Sequence, residues 1–201
     1  MTIMIKKRVV NYILVVFIFT ILACSGLNFS QLAPEAIEYH PQRVALFPIE
    51  VWNHKEIDSR AMVEQIVTRS LVAKRLFTDV TDVEILQRQL LANDEFRKTK
   101  DEYFSKLRLL GFSDPELSRK IGDFIQVDAF LLLFVDEWKY YEKDDKKLAQ
   151  VGLSMEMYDV ATGKLMWKAH HSITNDYMLI KPELPDVARA VVNKMAVYMP
   201  H

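Results

Sequence analysis

The chain has 201 residues, of which 26 are lysine or arginine and 27 are aspartate or glutamate, and it contains one cysteine. This near-neutral balance gives no electrostatic reason to expect a nucleic-acid partner, and a single thiol cannot form an intramolecular disulfide. Half of the residues are apolar, which is enough for one sizeable hydrophobic core in a chain of this length. We therefore expect one globular domain that depends on its core alone.

The first 24 residues have the three-part layout of an export signal. A basic stretch at residues 6–8 is followed by an apolar run over residues 9–23 and then by Cys24. The run is shorter than the roughly 20 apolar residues that a membrane-spanning helix needs. Residues 1–23 are therefore predicted to be a removable signal peptide, and the remaining chain has 23 basic and 27 acidic residues.

Residues 21–24, Ile-Leu-Ala-Cys, resemble a bacterial lipobox. The resemblance implies that the Cys24 thiol receives a diacylglycerol and that the protein attaches to a membrane through this N-terminal lipid. Two other interpretations remain open, an uncleaved signal anchor and an ordinary secretory signal with an incidental cysteine. Ser25 at the second mature position resembles the outer-membrane address of the enterobacterial sorting scheme. That address implies the inner leaflet of the outer membrane, facing the periplasm.

The mature chain divides into a tether and a domain. Residues 24–42 have few large apolar residues and two prolines, so we predict a lipid-anchored tether there and an α/β globular domain over 43–201. A short apolar run at 44–49 predicts the first strand. Apolar positions at three- and four-residue steps then predict helices, separated by a brief strand at 78–83. These helices cover 58–77, 84–91, 94–110 and a stretch that restarts at the capping motif 113–116.

The last third of the sequence changes to the period of strands. An all-apolar run at 129–135 continues to 141, residues 151–157 alternate, and a turn at 161–164 leads to a strand whose inner face includes Trp167 and His171. A helix over 182–199 closes the chain. We predict a single α/β sandwich with a mixed sheet whose C-terminal part is an antiparallel meander covered by helices.

The turn between the last two strands carries a motif, Asp159-Val-Ala-Thr-Gly-Lys-Leu-Met-Trp167. It resembles the hairpin of bacterial envelope lipoproteins that include the CsgG-like proteins, LpoB, the TolB N-terminal domain and neisserial-type surface lipoproteins. The resemblance implies a lipid-anchored protein that binds another envelope protein in a secretion or cell-wall assembly machine. No pair of alternating segments of about 10 residues is available to cross a bilayer, so a pore is not predicted.

No residue pattern in the chain predicts catalysis, a cofactor or a metal site. His170 and His171 are neighbours on a strand and point to opposite faces, and the same alternation is expected to separate Asp136 from Glu137. Glycine-flanked nucleophiles, phosphate loops and zinc-binding motifs are missing from the sequence. We therefore expect a non-enzymatic protein.

Three aromatic residues, Trp138, Tyr140 and Tyr141, lie where the predicted strand that begins at residue 129 changes from apolar to charged sequence. We predict that they bind the partner. They could instead shelter under the final helix or under the tether. Two other functional classes remain open, a periplasmic lipoprotein that binds a small molecule or glycan, and a cryptic hydrolase. A deep pocket with convergent polar groups would favour either of these.

Overall fold

The computed structural model describes residues 27–47 and 57–201, apart from the side chains of residues 57–59. The signal peptide, Cys24 and the end of the first predicted strand lie outside this part. The described residues form six strands and five α-helices. In chain order these are β1 (Phe29–Leu32), β2 (Arg43–Leu46), α1 (Ile57–Lys74), β3 (Asp79–Thr81), α2 (Val83–Ala92), α3 (Asp94–Leu110), α4 (Pro115–Ile125), β4 (Ala129–Lys143), β5 (Lys146–Asp159), β6 (Leu165–Tyr177) and α5 (Leu184–Met195).

The six strands form one mixed sheet in the order β1-β6-β5-β4-β2-β3. Strand β2 pairs in parallel with both β3 and β4, whereas the pairs β4–β5, β5–β6 and β6–β1 are antiparallel. The predicted α/β class and the C-terminal meander are therefore confirmed. Gly163 adopts a φ of 68° in the β5–β6 turn, a backbone conformation that favours glycine.

Helices cover both faces of the sheet. On one face, α1 and α5 pack against the inward side chains of β4–β6, among them Leu153 and Trp167, both with no exposed surface. On the other face, α2, α3 and α4 enclose a second cluster built around Phe130 and Tyr103. The sequence predicted the inner faces of β5 and β6 because strict alternation of apolar and polar residues marks them.

The predicted tether is wrong over part of its length. Residues 29–32 form β1, an edge strand that pairs with β6, and Ala36 in the 3-10 turn that follows is buried. The sequence of β1, Phe-Ser-Gln-Leu, does not alternate between apolar and polar residues, and all four residues are exposed. The Trp167 indole donates to the hydroxyl of Ser30, which lies 137 positions earlier in the chain. The ordered domain therefore begins by Leu27 and not at residue 43.

Two helix faces are also shifted from their predicted positions. The spacing of apolar residues predicts that Met62 of α1 and Leu110 of α3 face the core, but they are 43% and 71% exposed, while Val63 and Phe104 are buried. Helix α1 ends at Lys74, and Arg75 takes a left-handed φ of 53°, which places Leu76 outside the helix. Periodicity alone identifies a helix more reliably than it identifies which of two adjacent apolar residues faces inward.

Candidate functional site

Strands β4, β5 and β6 extend beyond the part of β4 that pairs with β2. We call this extension the arm and define it as residues 136–143, 146–152 and 172–177. The arm begins at a β-bulge in β4. Val135 pairs with Leu153 and Glu137 pairs with Gly152, so Asp136 is an extra residue without a partner of its own. Because of this insertion, the side chains that face α5 change from odd-numbered to even-numbered residues along β4.

Trp138 and Tyr140 lie on the arm face that packs against the core under α5. The Tyr140 hydroxyl donates to the Pro182 carbonyl oxygen at 2.8 Å, and the Lys181 ammonium lies 3.5 Å from the centre of the Tyr140 ring. Tyr177 packs edge-on against the same ring, with 6.3 Å between the ring centres. Tyr140 therefore holds the segment that precedes α5 against the arm.

Tyr141 lies on the opposite face of the arm. Its ring is half-buried, pairs across the strands with Leu148, and has the Lys139 ammonium 5.5 Å from its centre. The three aromatic residues singled out in the sequence therefore do not form one patch. Trp138 and Tyr140 share the helix-covered face, and Tyr141 belongs with Lys139 on the other.

A polar cluster lies on the same face as Tyr141 and joins three strands. The Asp136 carboxylate accepts from Ser154 Oγ at 2.7 Å and lies 2.9 Å from His170 Nδ1, and Ser154 Oγ is 3.1 Å from the same ring nitrogen. A nucleophilic triad needs the carboxylate on one imidazole nitrogen and the hydroxyl on the other. Here both contacts meet at Nδ1, so the arrangement ties β4, β5 and β6 together and does not prepare Ser154 as a nucleophile.

The expectation that Asp136 and Glu137 diverge is wrong, and the bulge is the reason. Asp136 bonds to Ser154, while the Glu137 carboxylate lies where a side chain on Gly152 would otherwise stand. Residues 152 and 154 share a face of β5, so the two acids share it as well. Within the described residues, Glu137 Oε2 is buried without a hydrogen-bond partner. Sequence alternation cannot reveal a bulge, because the extra residue leaves no compositional mark.

The two adjacent histidines point to opposite faces. His171 is buried on the α5 side, where its Nδ1 accepts from the Asn28 backbone N–H at 3.3 Å. Burial, with a smaller effect from the positive charge of Lys194, lowers the pKa of His171 below its usual value. In the described part of the chain, no group of three or more histidine, cysteine, aspartate or glutamate side chains is arranged to hold a metal ion.

The beginning of the described chain lies beside the arm. Phe29 pairs with His170, and the Asn28 side chain accepts from the Ser172 backbone N–H at 2.7 Å, so the chain before β1 runs along β6 toward the arm. Cys24 precedes Leu27 by three residues, which span at most about 11 Å. A lipid on Cys24 would therefore be attached within about 11 Å of Leu27, whose neighbour Asn28 lies beside the first arm residue of β6.

No family model and no curated protein matches the chain. Solved structures do match it. The PelC dodecamer from Paraburkholderia phytofirmans is 18% identical over 83% of this chain and 91% of that chain, with a TM-score of 0.52. The hypothetical protein CT253 from Chlamydia trachomatis is 10% identical over 78% and 94%, with a TM-score of 0.54. The chain shares their fold.

A further structural neighbour is lipoprotein GNA1162 from Neisseria meningitidis, at 15% identity over 78% of this chain and 99% of that chain, with a TM-score of 0.49. Across residues 27–47 and 57–201, no helix has both the length and the apolar character that crossing a bilayer demands.

Proposed function

We propose that this chain is a lipid-anchored protein of the bacterial cell envelope that acts by binding another envelope component, without catalysis. The lipid is carried by Cys24, and Ser25 directs the protein to the periplasmic face of the outer membrane. The setting is a secretion or cell-wall assembly machine. The observation that carries the binding role is the arm, which offers a partner both a strand edge and a sheet face.

The strand edge belongs to β4. Strand β2 pairs with β4 only as far as Leu131, and Phe47 N–H also donates to the Leu131 carbonyl oxygen at 3.0 Å. From Leu133 to Lys143, β4 pairs within the described residues only with β5. An edge of this kind presents backbone N–H and C=O groups to which an added strand can bond.

The sheet face belongs to the side chains that point away from α5. Lys139 is exposed and Tyr141 is half-buried there, beside the cluster of Asp136, Ser154 and His170. An aromatic ring surrounded by polar groups is typical of binding surfaces between proteins. A small-molecule or glycan-binding role would call for a concave site with convergent polar groups. A strand edge and a sheet face suit an extended or flat partner better.

The PelC structure bears on the kind of partner. PelC is a dodecamer, so that protein assembles with copies of itself. A second copy of this chain is therefore one envelope component that the arm could bind, beside a different protein.

Site-specific photo-crosslinking in intact cells tests the proposal. A photoreactive residue replaces Lys139 or Tyr141 on the open face of the arm, which is the sheet face that points away from α5. As a matched control it replaces Lys120, which is exposed on α4. We expect discrete adducts from positions 139 and 141 and none from position 120. Adducts with a second copy and with another envelope protein both support the proposal and identify the partner. The absence of adducts at 139 and 141, or the same pattern at all three positions, would refute it.

A further inference from the structure

Three consecutive aliphatic residues directly after β6 lie almost entirely in solvent. Met178 is 92% exposed, Leu179 is 98% exposed and Ile180 is 86% exposed. Single exposed apolar residues are common on protein surfaces, but a continuous exposed group of large ones marks a surface that something else covers. We call these three residues the apolar loop.

The residues on either side fix the apolar loop to the arm. Before it, Tyr177 packs against the Tyr140 ring, and after it Lys181 lies over the same ring. Pro182 then accepts the hydrogen bond from the Tyr140 hydroxyl. Because both flanks are held by one tyrosine, the loop projects from a defined place at the end of the sheet.

The described residues nearest to Cys24 lie on the side of β1 that faces the apolar loop. Strand β1 runs antiparallel to β6 and Asn28 is bonded to Ser172, so Asn28 lies farther along β6 toward Met178 than β1 does. Ser172 and Met178 are six residues apart, about 20 Å along a strand. Cys24 lies within about 11 Å of Leu27, because three extended residues span no more than that.

We propose that the apolar loop inserts into the membrane leaflet that holds the Cys24 lipid, as a second contact between this protein and the bilayer. The inference rests on the lipidation that is part of the proposed function. Once the lipid holds the domain at the surface, insertion of the loop is an intramolecular step at high effective concentration. The loop therefore sets the orientation of the domain, with the arm directed toward the membrane.

Charge around the apolar loop favours no particular head group. The lysines at this end of the arm are matched by an equal number of acidic residues; they are Lys139, Lys143, Lys146, Lys147 and Lys181 against Glu142, Asp144, Asp145, Asp176 and Glu183. Insertion is therefore driven by burial of aliphatic surface and not by attraction to anionic lipid. Zwitterionic and anionic bilayers should accept the loop equally.

A fluorescent probe on the loop tests this inference in the full-length lipidated protein. The chain has one cysteine, so once its thiol carries lipid, Leu179→Cys supplies a single reactive thiol for an environment-sensitive nitrobenzoxadiazole label. The matched control is Leu109→Cys. Leu109 is 79% exposed near the end of α3, which leads to Ser113 beside the β5–β6 turn at the opposite end of the sheet.

In vesicles of phosphatidylcholine, with or without phosphatidylglycerol, we expect blue-shifted emission at position 179 with a several-fold rise in intensity. Spin-labelled lipids should quench that emission strongly, and the probe at position 109 should behave as it does in water. Equal, water-like emission at both positions would overturn the inference. So would a blue shift at 179 that spin-labelled lipids do not quench, because protein and not lipid would then cover the loop. Fatty-acid labelling of the same preparation shows separately whether Cys24 carries lipid.

Discussion

At the scale of single residues, stability depends on a few side chains that the sheet and α5 enclose completely. Trp167 and Leu153 have no exposed surface and lie on adjacent strands within the same cluster, and the Trp167 indole also donates to Ser30 Oγ at 3.2 Å. Truncation of either residue leaves a cavity that rigid neighbours cannot close. Trp167 additionally ties the edge strand β1 to the core.

We expect Trp167→Ala and Leu153→Ala each to lower the free energy of unfolding by about 2–5 kcal/mol. Urea unfolding of the mature domain measures this loss. The control is Leu109→Ala, which removes an exposed leucine and should change stability by less than about 0.5 kcal/mol. Unchanged midpoints for both core variants would mean that the faces of β5 and β6 are assigned the wrong way round.

His171 makes stability depend on pH in a predictable direction. Its pKa is lowered in the folded protein, chiefly by burial, while a histidine in the unfolded chain has a pKa of about 6.5. A depressed folded pKa contributes stability that is present above the unfolded pKa and is lost as the pH falls through the folded pKa. Protonation would also compete with the hydrogen bond that Nδ1 accepts from Asn28.

We therefore expect the free energy of unfolding to decrease from pH 7 to pH 5 more steeply in the parent than in His171→Leu. Urea unfolding at both pH values measures the two slopes, and the comparison cancels titrations that the two proteins share. Parallel slopes would show that His171 takes up its proton without cost.

At the scale of elements, the sequence predicts those turns, strands and helix ends that depend on residues close together in the chain. The alternation at 151–157 and the motif around Gly163 identify the β5–β6 hairpin, and Gly111, in a left-handed conformation, ends α3 where expected. What the sequence does not reveal depends on distant partners. Strand β1 exists only because β6 offers it an edge, and the bulge at Asp136 depends on how β4 registers with β5.

The candidate site shows the same division between local and distant information. Trp138, Tyr140 and Tyr141 could be singled out as aromatics at a polar strand end, but their division between two faces follows from the bulge. The cluster of Asp136, Ser154 and His170 comes from three strands. Only the cross-strand pairing of Ser154 with His170, which requires the register, would have signalled it.

The two tyrosines of β4 should respond differently to substitution. Tyr140→Phe removes the hydrogen bond to Pro182 and should cost about 1 kcal/mol of stability, and Tyr140→Ala should cost more, because the ring packs against Tyr177 and Lys181. Tyr141→Ala should leave the melting temperature nearly unchanged. Recovery of crosslinked partner should nonetheless fall about tenfold, as truncation of an aromatic anchor commonly costs 2 kcal/mol or more.

Melting temperature and partner recovery, measured on the same preparations, separate these two roles. Trp138→Ala belongs with Tyr140 in this comparison, since its side chain packs against the same core cluster. A large loss of stability in Tyr141→Ala, with normal partner recovery per folded molecule, would show that the face of the arm that carries Tyr141 does not bind the partner.

At the scale of the whole molecule, the proposed lipid on Cys24 would hold the domain in a limited range of orientations on the membrane. Only two residues separate Cys24 from Leu27, so the domain could not move far from the membrane once a lipid is attached. In the orientation that we propose, the arm lies nearest the bilayer, and with it the edge of β4 that pairs within the described residues only with β5. This arrangement favours a partner that is itself bound to the membrane or lies on its surface, and it depends entirely on lipidation at Cys24.

Metabolic labelling of cells with a fatty-acid analogue is the most direct test of that dependence. The parent chain should incorporate the label, because Cys24 is its only cysteine and the resemblance of residues 21–24 to a lipobox implies that the Cys24 thiol accepts the lipid. Cys24→Ser should incorporate none and should accumulate as a precursor that retains residues 1–23. Equal labelling of the parent and the variant, or cleavage of the variant at the same site, would contradict the central claim that this is a lipid-anchored protein.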